Sequence, residues 1–234
     1  MSLNGESANC TVSDVRVQME KEMFVLGLCG RSGSGKSTVA SVFRRRGING
    51  VDCDALTYEI YEAGSECLKA LADSFGAEIL KEDGSLDRQA LAERAFATAE
   101  GTERLNFITH RFILEALWGK LEAFEARGDR LAFVDAPLLF EAGLETKVDA
   151  VVCVLAPDGE NVRRVALRDG RSEDEVRARL EKQKSAEFLK ANSHLCIWNG
   201  GSLQALERKA AKALLWALLR FRFPMSKLRF KEGL

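Results

Sequence analysis

The stretch that most constrains this chain is FVLGLCGRSGSGKSTVASVF, Phe24 to Phe43. Phe24, Val25, Leu26 and Leu28 make a short apolar run that reads as a buried parallel strand, and Gly30 to Ser37 then fit the spacing G-x-x-x-x-G-K-S. A phosphate chain is densely negative, and backbone can wrap it only where no Cβ stands in the way. Gly30, Gly33 and Gly35 supply that freedom. A helix opening near Lys36 aims its unpaired N–H groups and the positive end of its dipole at the same point. Lys36 adds a mobile charge for the β- and γ-phosphates, Ser37 a hydroxyl for a bridging Mg2+, and Thr38 a contact further back along the phosphates. The expected cradle for a nucleoside triphosphate and its metal is thus Ser32, Gly33, Ser34, Gly35, Lys36, Ser37 and Thr38.

Composition narrows the class. With 234 residues, 46% of them hydrophobic and 29% charged, the chain suffices for one well-filled core, or one core with an inserted subdomain. A formal charge of −1 gives no global attraction to nucleic acid or anionic membrane, and no apolar run reaches the length of a membrane span. The six cysteines include no C-x-x-C pair and the two histidines, His110 and His194, lie far apart. Free thiols in a reducing compartment are expected rather than a zinc site. Residues 1–22 lack the basic start and apolar centre of a signal peptide and read as a flexible segment, so the chain is expected to be cytoplasmic. The tail from Arg220 to Lys231 interleaves basic residues with Phe221, Phe223 and Phe230. That pattern is compatible with an anionic surface, but the neutral net charge favours aromatics docked on the protein with their charges in water.

After the loop, Val39, Val42 and Phe43 mark one helix face, closed by Arg44 to Arg46 and Gly47. A second short strand, Ile48 to Asp54, ends in two carboxylates, Asp52 and Asp54, with a helix expected from Ala55. Residues 56–127 are helical almost throughout, with Ser65, Asp87 and Thr102 as expected caps. That is far more than a bare crossover needs, and marks a substrate-binding subdomain. Strand signals return at Leu131 to Asp135, Ala150 to Ala156 and Leu195 to Trp198. Arg163, Arg164 and Arg168 share a helix ended by Gly170. Ser172 to Glu175 is a capping box opening a charged, thinly apolar helix, which suggests a lid over about 168–190 rather than core. Five apolar strands separated by helices give an α/β, three-layer fold with a five-stranded parallel sheet, a helical insertion and a lid, all within one domain over 23–234.

Phosphoryl transfer needs a triphosphate cradle, a metal, an oriented acceptor hydroxyl and cations for the transferring group. The chain offers the loop, Ser37, Asp54 with Asp52 or Asp135 as rivals, and the arginines of 163–179.

The segments GLCGRSGSGKSTVA (27–40), VDCDAL (51–56), LNFITH (105–110), DAPLLFEAGL (135–144), RRVALRDGRS (163–172), ARLEKQ (178–183) and IWNGG (197–201) resemble, in order and spacing, the dephospho-CoA kinase family of P-loop NTPases. The resemblance implies transfer of the γ-phosphate of ATP, with Mg2+, to the ribose 3′-hydroxyl of dephospho-CoA. It implies Asp54 facing the acceptor hydroxyl, Lys36, Ser37 and Thr38 on phosphate and metal, and Arg168, with Arg164 as rival, as the lid-side cation. Asn199 would lie in the loop flanking adenine, and His110, Leu138, Leu139 and Glu141 near the acceptor. Cys29, Arg31-Ser32, Arg111 and Trp198 depart from the family pattern. The partner expected is a small molecule rather than nucleic acid or membrane, and a monomer or small homo-oligomer fits. Another small-metabolite or nucleoside kinase, or a regulatory ATPase, is the alternative.

Overall fold

In the computed structural model, which describes residues 23–220, the apolar runs fold as β1 (Phe24–Cys29), β2 (Asn49–Asp52), β3 (Leu131–Asp135), β4 (Ala150–Leu155) and β5 (Leu195–Trp198). They form one sheet in the order β2-β3-β1-β4-β5, with every neighbouring pair parallel. Parallel neighbours require long crossovers, and most of these are helical. Helix α1 (Lys36–Arg45) joins β1 to β2. Helices α2 (Cys53–Glu59), α3 (Glu66–Phe75), α4 (Arg88–Ala95) and α5 (Ala99–Ala126) lie between β2 and β3. Helices α6 (Asp158–Asp169), α7 (Glu173–Glu181) and α8 (Ala186–Asn192) precede β5, and α9 (Leu203–Arg220) follows it.

Both sheet faces are covered, which is why the inner strands read as unbroken apolar runs. Phe24, Leu26 and Leu28 of β1 pack with Phe133 and Val152 against Val39, Val42 and Phe43 of α1 and Leu206, Ala210 and Leu214 of α9. Val25, Cys29, Val134 and Cys153 face the other way, toward Leu56 of α2, Leu117 and Leu121 of α5 and Leu189 of α8. Helix α5 is 28 residues long, about 42 Å at the usual rise per residue. Its second half lies on the sheet, while Leu105, Ile108 and Phe112 in its first half close a separate core around Ile60, Leu68, Leu71, Ile79 and Leu91. One helix therefore ties the insertion to the sheet.

Local signals explain most boundaries, and two differ from expectation. Ser65, Asp87 and Ser172 cap α3, α4 and α7 as anticipated, the last with a full capping box. Thr102 is not a cap. Thr98 accepts from Gly101 N at 2.9 Å and opens α5 four residues earlier, while the Thr102 hydroxyl donates to the Ala95 and Thr98 carbonyls. The second strand stops at Asp52, whose carboxylate accepts from Asp54 N and Ala55 N, so the helix begins at Cys53 rather than Ala55. Helix α7 does have an apolar contact, because Val176 and Leu180 are buried against Val162 and Val165 of α6. Two residues one turn apart suffice, since a helix pair needs only a narrow stripe.

Cys29, Cys153 and Cys196 stand in register across β1, β4 and β5, and with Cys53 and Cys67 they are free thiols. Among the described residues no helix is long and apolar enough to cross a membrane. The expected N-terminal segment 1–22, Cys10 and the aromatic-basic tail beyond Arg220 lie outside the described residues.

Gly50 pairs in register with Phe133, and a Cβ at Gly50 would overlap that ring. The ring is fully buried and packs edge-on to Phe43 at 5.5 Å, so it has little room to yield. Gly50→Ala is expected to lower the unfolding free energy in urea by about 1–3 kcal/mol with an unchanged m-value. An unshifted midpoint would show that Phe133 can move.

Candidate active site

The ends of β1, β2 and β3 open onto a cleft of about 710 Å3, where ligands gather on open parallel sheets. The loop from Gly30 to Ser37 forms its floor. Gly33 has φ +79° and lies so near α6 that a Cβ would come within 2.6 Å of the Asn161 carbonyl. Gly35 has φ +96°, and a Cβ there would meet the Asn199 amide at 2.5 Å. Both positions thus require glycine on two counts, backbone conformation and space. The Ser34 hydroxyl is buried and has no hydrogen-bond partner among the described residues, an orphaned polar group inside a loop held by left-handed glycines at 33 and 35. That is what a cradle built for an added anion looks like.

The cleft carries both signs of charge. Asp52, Asp54, Asp135 and Glu141 line it together with Arg31, Lys36, Arg164, Arg168, Arg179 and Lys182. Asp52 and Asp135 are register partners at the ends of β2 and β3, and Asp54 follows on the first turn of α2, exposed to the cleft. Asp135 is 4% exposed and pairs with the Lys36 ammonium. Burial raises its carboxyl above the ordinary range, and the ammonium opposes that rise. The negative potential also reaches Cys53, whose thiol is pushed up to about 12 by burial first, then by Asp135, Asp52 and Asp54. The Arg168 guanidinium, also in the lining, holds Asp169 through two bonds of 2.7 and 3.1 Å, and Arg179 reaches the same carboxylate at 3.5 Å. Arg164 donates to the Gly33 carbonyl at 3.4 Å.

Of the site residues expected from sequence, Ser32 to Ser37, Asp54, Leu138, Glu141 and Arg168 line this one cleft. The others lie elsewhere. Thr38 sits half-buried in the first turn of α1, off the cleft wall. Asn199 is buried beneath the loop, and its amide donates to the Ser34 carbonyl at 2.9 Å, so it braces the cradle from behind. Leu139 is fully buried in the core beside Gly27, whereas Leu138 is 51% exposed. His110 is exposed on α5 and is not part of the cleft wall. Arg179, one of the arginines of 163–179 offered by the sequence, also lines the cleft, together with Lys182, Arg31 and Gln183, to which the sequence assigned no role. Of these, Arg31 and Gln183 were the hardest to find. The last two occupy free positions of the loop motif and a charged helix end, where no local pattern marks them.

Among the described residues no group of three or more His, Cys, Asp or Glu side chains could hold a metal ion by itself. The cleft instead offers the exposed Ser37 hydroxyl and separate carboxylates. This suits Mg2+, which keeps several waters and takes most other ligands from phosphate.

The Asp135–Lys36 pair has a pH signature. Removing the ammonium in Lys36→Met leaves Asp135 buried without its cation, so its pKa rises further. The native state then holds more protons than the unfolded one, and stability falls as pH rises through the carboxylate range. Urea unfolding should show a larger deficit against the unsubstituted protein at pH 8 than at pH 5. An equal deficit at both would contradict the pairing.

A family model described as dephospho-CoA kinase matches residues 24–205. A dephospho-CoA kinase of Corynebacterium glutamicum is 42% identical over 185 residues, 79% of this chain and 95% of its own length. That of Anaeromyxobacter dehalogenans is 42% identical over 192 residues, 82% and 91% respectively. The crystal structure of TT1252 from Thermus thermophilus superposes with a TM-score of 0.71 at 37% identity, covering 85% of this chain and 99% of that one. Dephospho-CoA kinase from Campylobacter jejuni, at 22% identity, shares the fold with a TM-score of 0.63 over 82% and 96%. With the family's model spanning the sheet, the insertion and the phosphate loop, and with relatives matched over nearly their whole length, this chain belongs to the dephospho-CoA kinase family.

Proposed function

We propose that the protein transfers the γ-phosphate of ATP to the ribose 3′-hydroxyl of dephospho-CoA, giving coenzyme A and ADP. The observation that carries this reading is the placing of Asp54 and the phosphate loop in one cleft, lined also by Lys36, Arg164, Arg168 and Arg179. A hydrolytic switch needs only a water held in line, and leaves unexplained both the helical insertion and the exposed Asp54 carboxylate that precedes it in the cleft.

In this reading the inward N–H groups of the loop and Lys36 hold the β- and γ-phosphates. Lys36 then exchanges part of its contact with Asp135 for phosphate oxygens. Ser37 would be the protein ligand for Mg2+, with Asp135 the buried carboxylate available beside it. When bound, Mg2+ would offset charge on the β- and γ-phosphates. Asp54 accepts a hydrogen bond from the ribose hydroxyl and aligns its oxygen with the γ-phosphorus. As the new P–O bond forms and the bond to ADP breaks, the hydroxyl proton passes to Asp54 or to water. The transition state is loose, so orientation matters more than basicity. Arg168, and with it Arg179, leaves Asp169 to meet charge on the transferring oxygens, while Arg164 serves the nucleotide side. Leu138 and Glu141 flank the acceptor, with Leu139 supporting that segment from the core and Asn199 holding the loop under the nucleotide.

Residues 56–127 act as the acceptor-binding subdomain, with His110 as its more distant contributor, and 168–190 as the lid. The partners are small molecules, met in the cytoplasm by a monomer or small homo-oligomer.

Asp54→Asn keeps shape and removes the charge. With dephospho-CoA as acceptor its kcat is expected to fall by about 100-fold or more, while the Kd for ATP measured by calorimetry stays within about threefold. Normal turnover by this variant would remove Asp54 from the reaction.

A further inference from the structure

The phosphate loop is hydrogen-bonded directly to the end of α7, more than a hundred residues away in sequence. The Gln183 side-chain carbonyl accepts from Ser32 N at 3.0 Å, and its NH2 donates to the Ser32 hydroxyl at 3.0 Å. Next to it, Arg31 donates to the Leu180 carbonyl at 2.9 Å and to Asp158 at 2.6 Å. The Arg31 side chain is only 12% exposed, so it is enclosed by these partners rather than solvated. Leu180 lies in the last turn of α7, where its carbonyl also accepts from Gln183 N at 3.1 Å and a cation is favoured by the helix dipole. Two successive loop residues therefore grip one helix end.

That helix end carries Arg179 and Lys182 on the cleft wall. Buried Leu180 fixes one side of α7 on α6, but two apolar residues cannot by themselves define how closely its C-terminus approaches the loop. The Gln183 pair can. A primary amide presents one acceptor and one donor at fixed separation, matching a backbone N–H and a hydroxyl oxygen. Lys184 N, the next donor along, reaches Glu141 at 3.3 Å, so the segment also spans to the acceptor side of the cleft.

We propose that Gln183 is a positioning residue for phosphoryl transfer. Its reciprocal bonds to Ser32 hold the end of α7 against the phosphate loop, set Arg179 and Lys182 at the transferring group, and cover the loop against water. Because it concerns which residues assemble the cleft for transfer, the inference rests on the kinase reading above. The latch itself is a property of the free protein.

Three variants separate the possibilities. In the nucleotide-free protein, Gln183→Ala should speed hydrogen exchange in peptides covering 31–33 and 180–185 by about tenfold, with other segments unchanged. ADP affinity should move by less than about threefold, whereas kcat with dephospho-CoA falls by about 10- to 100-fold and the share of ATP lost to water rises. Gln183→Glu can still accept from Ser32 N and from the Ser32 hydroxyl. It should keep the slow exchange but weaken ATP binding by about tenfold through charge beside the phosphates, a loss that shrinks with salt. Ser32→Ala combined with Gln183→Ala should be little worse than Gln183→Ala alone, because the pair acts as a unit. Exchange and kcat of Gln183→Ala both within about twofold of the unsubstituted protein would overturn the proposal, as would a purely additive double variant. If the unsubstituted protein phosphorylates no dephospho-CoA while Gln183→Ala still loosens these peptides, the kinase reading fails and the latch stands. The reverse pattern rejects the latch alone.

Discussion

An ammonium and a carboxylate, Lys36 and Asp135, meet in the wall of the cleft, where neither is stable alone. Asp135 is nearly enclosed at the end of β3, and Lys36 opens α1 from the phosphate loop. Leaving either charge without its partner in so dry a place is costly. The pair thereby ties loop to sheet and keeps the floor of the cleft in place without a ligand. The flanking charges extend the same arrangement: Asp52 stands beside Asp135 and caps the helix that carries Asp54, while Arg168 and Arg179 share Asp169. A triphosphate would offer these cations oxygens already negative, so binding exchanges partners rather than leaving charges bare.

The same constraint accounts for the architecture around the cleft. A phosphate loop needs a rigid base, and β1 provides it, buried on both faces and flanked by β3 and β4. Asn199, beyond the end of β5, then braces the loop from beneath through the Ser34 carbonyl. The insertion keeps its own small core and is joined to the sheet through the length of α5. Sheet and insertion are thus separately packed but mechanically linked.

Much of this was legible in the sequence because it is local. Strands buried on both faces leave unbroken apolar runs, and the phosphate loop has fixed glycine spacing whose physical need is visible at Gly33 and Gly35. Legibility failed where two local solutions competed. Thr98 and Thr102 both offer a capping hydroxyl, and packing around buried Gly101 decides for the earlier one. Asp52 and Asp54 suggest a continuing strand, yet Asp52 satisfies two helix N–H groups and ends it. The site was least readable where its parts are joined across the chain. Ser32 and Gln183 are 151 residues apart, and nothing near either announces the other. Leu138 and Leu139 show the opposite limit: a motif names both, and only the fold sends one into the cleft wall and the other into the core.

The most direct measurement is to offer the purified protein ATP and Mg2+ with dephospho-CoA, with nucleosides and small alcohols, and with no acceptor. Products are then followed by mass and the phosphate located by NMR. The account predicts that dephospho-CoA alone gains one phosphate, on its ribose 3′-hydroxyl, with little ATP consumed otherwise. Equal ATP consumption whether or not an acceptor is present would contradict it.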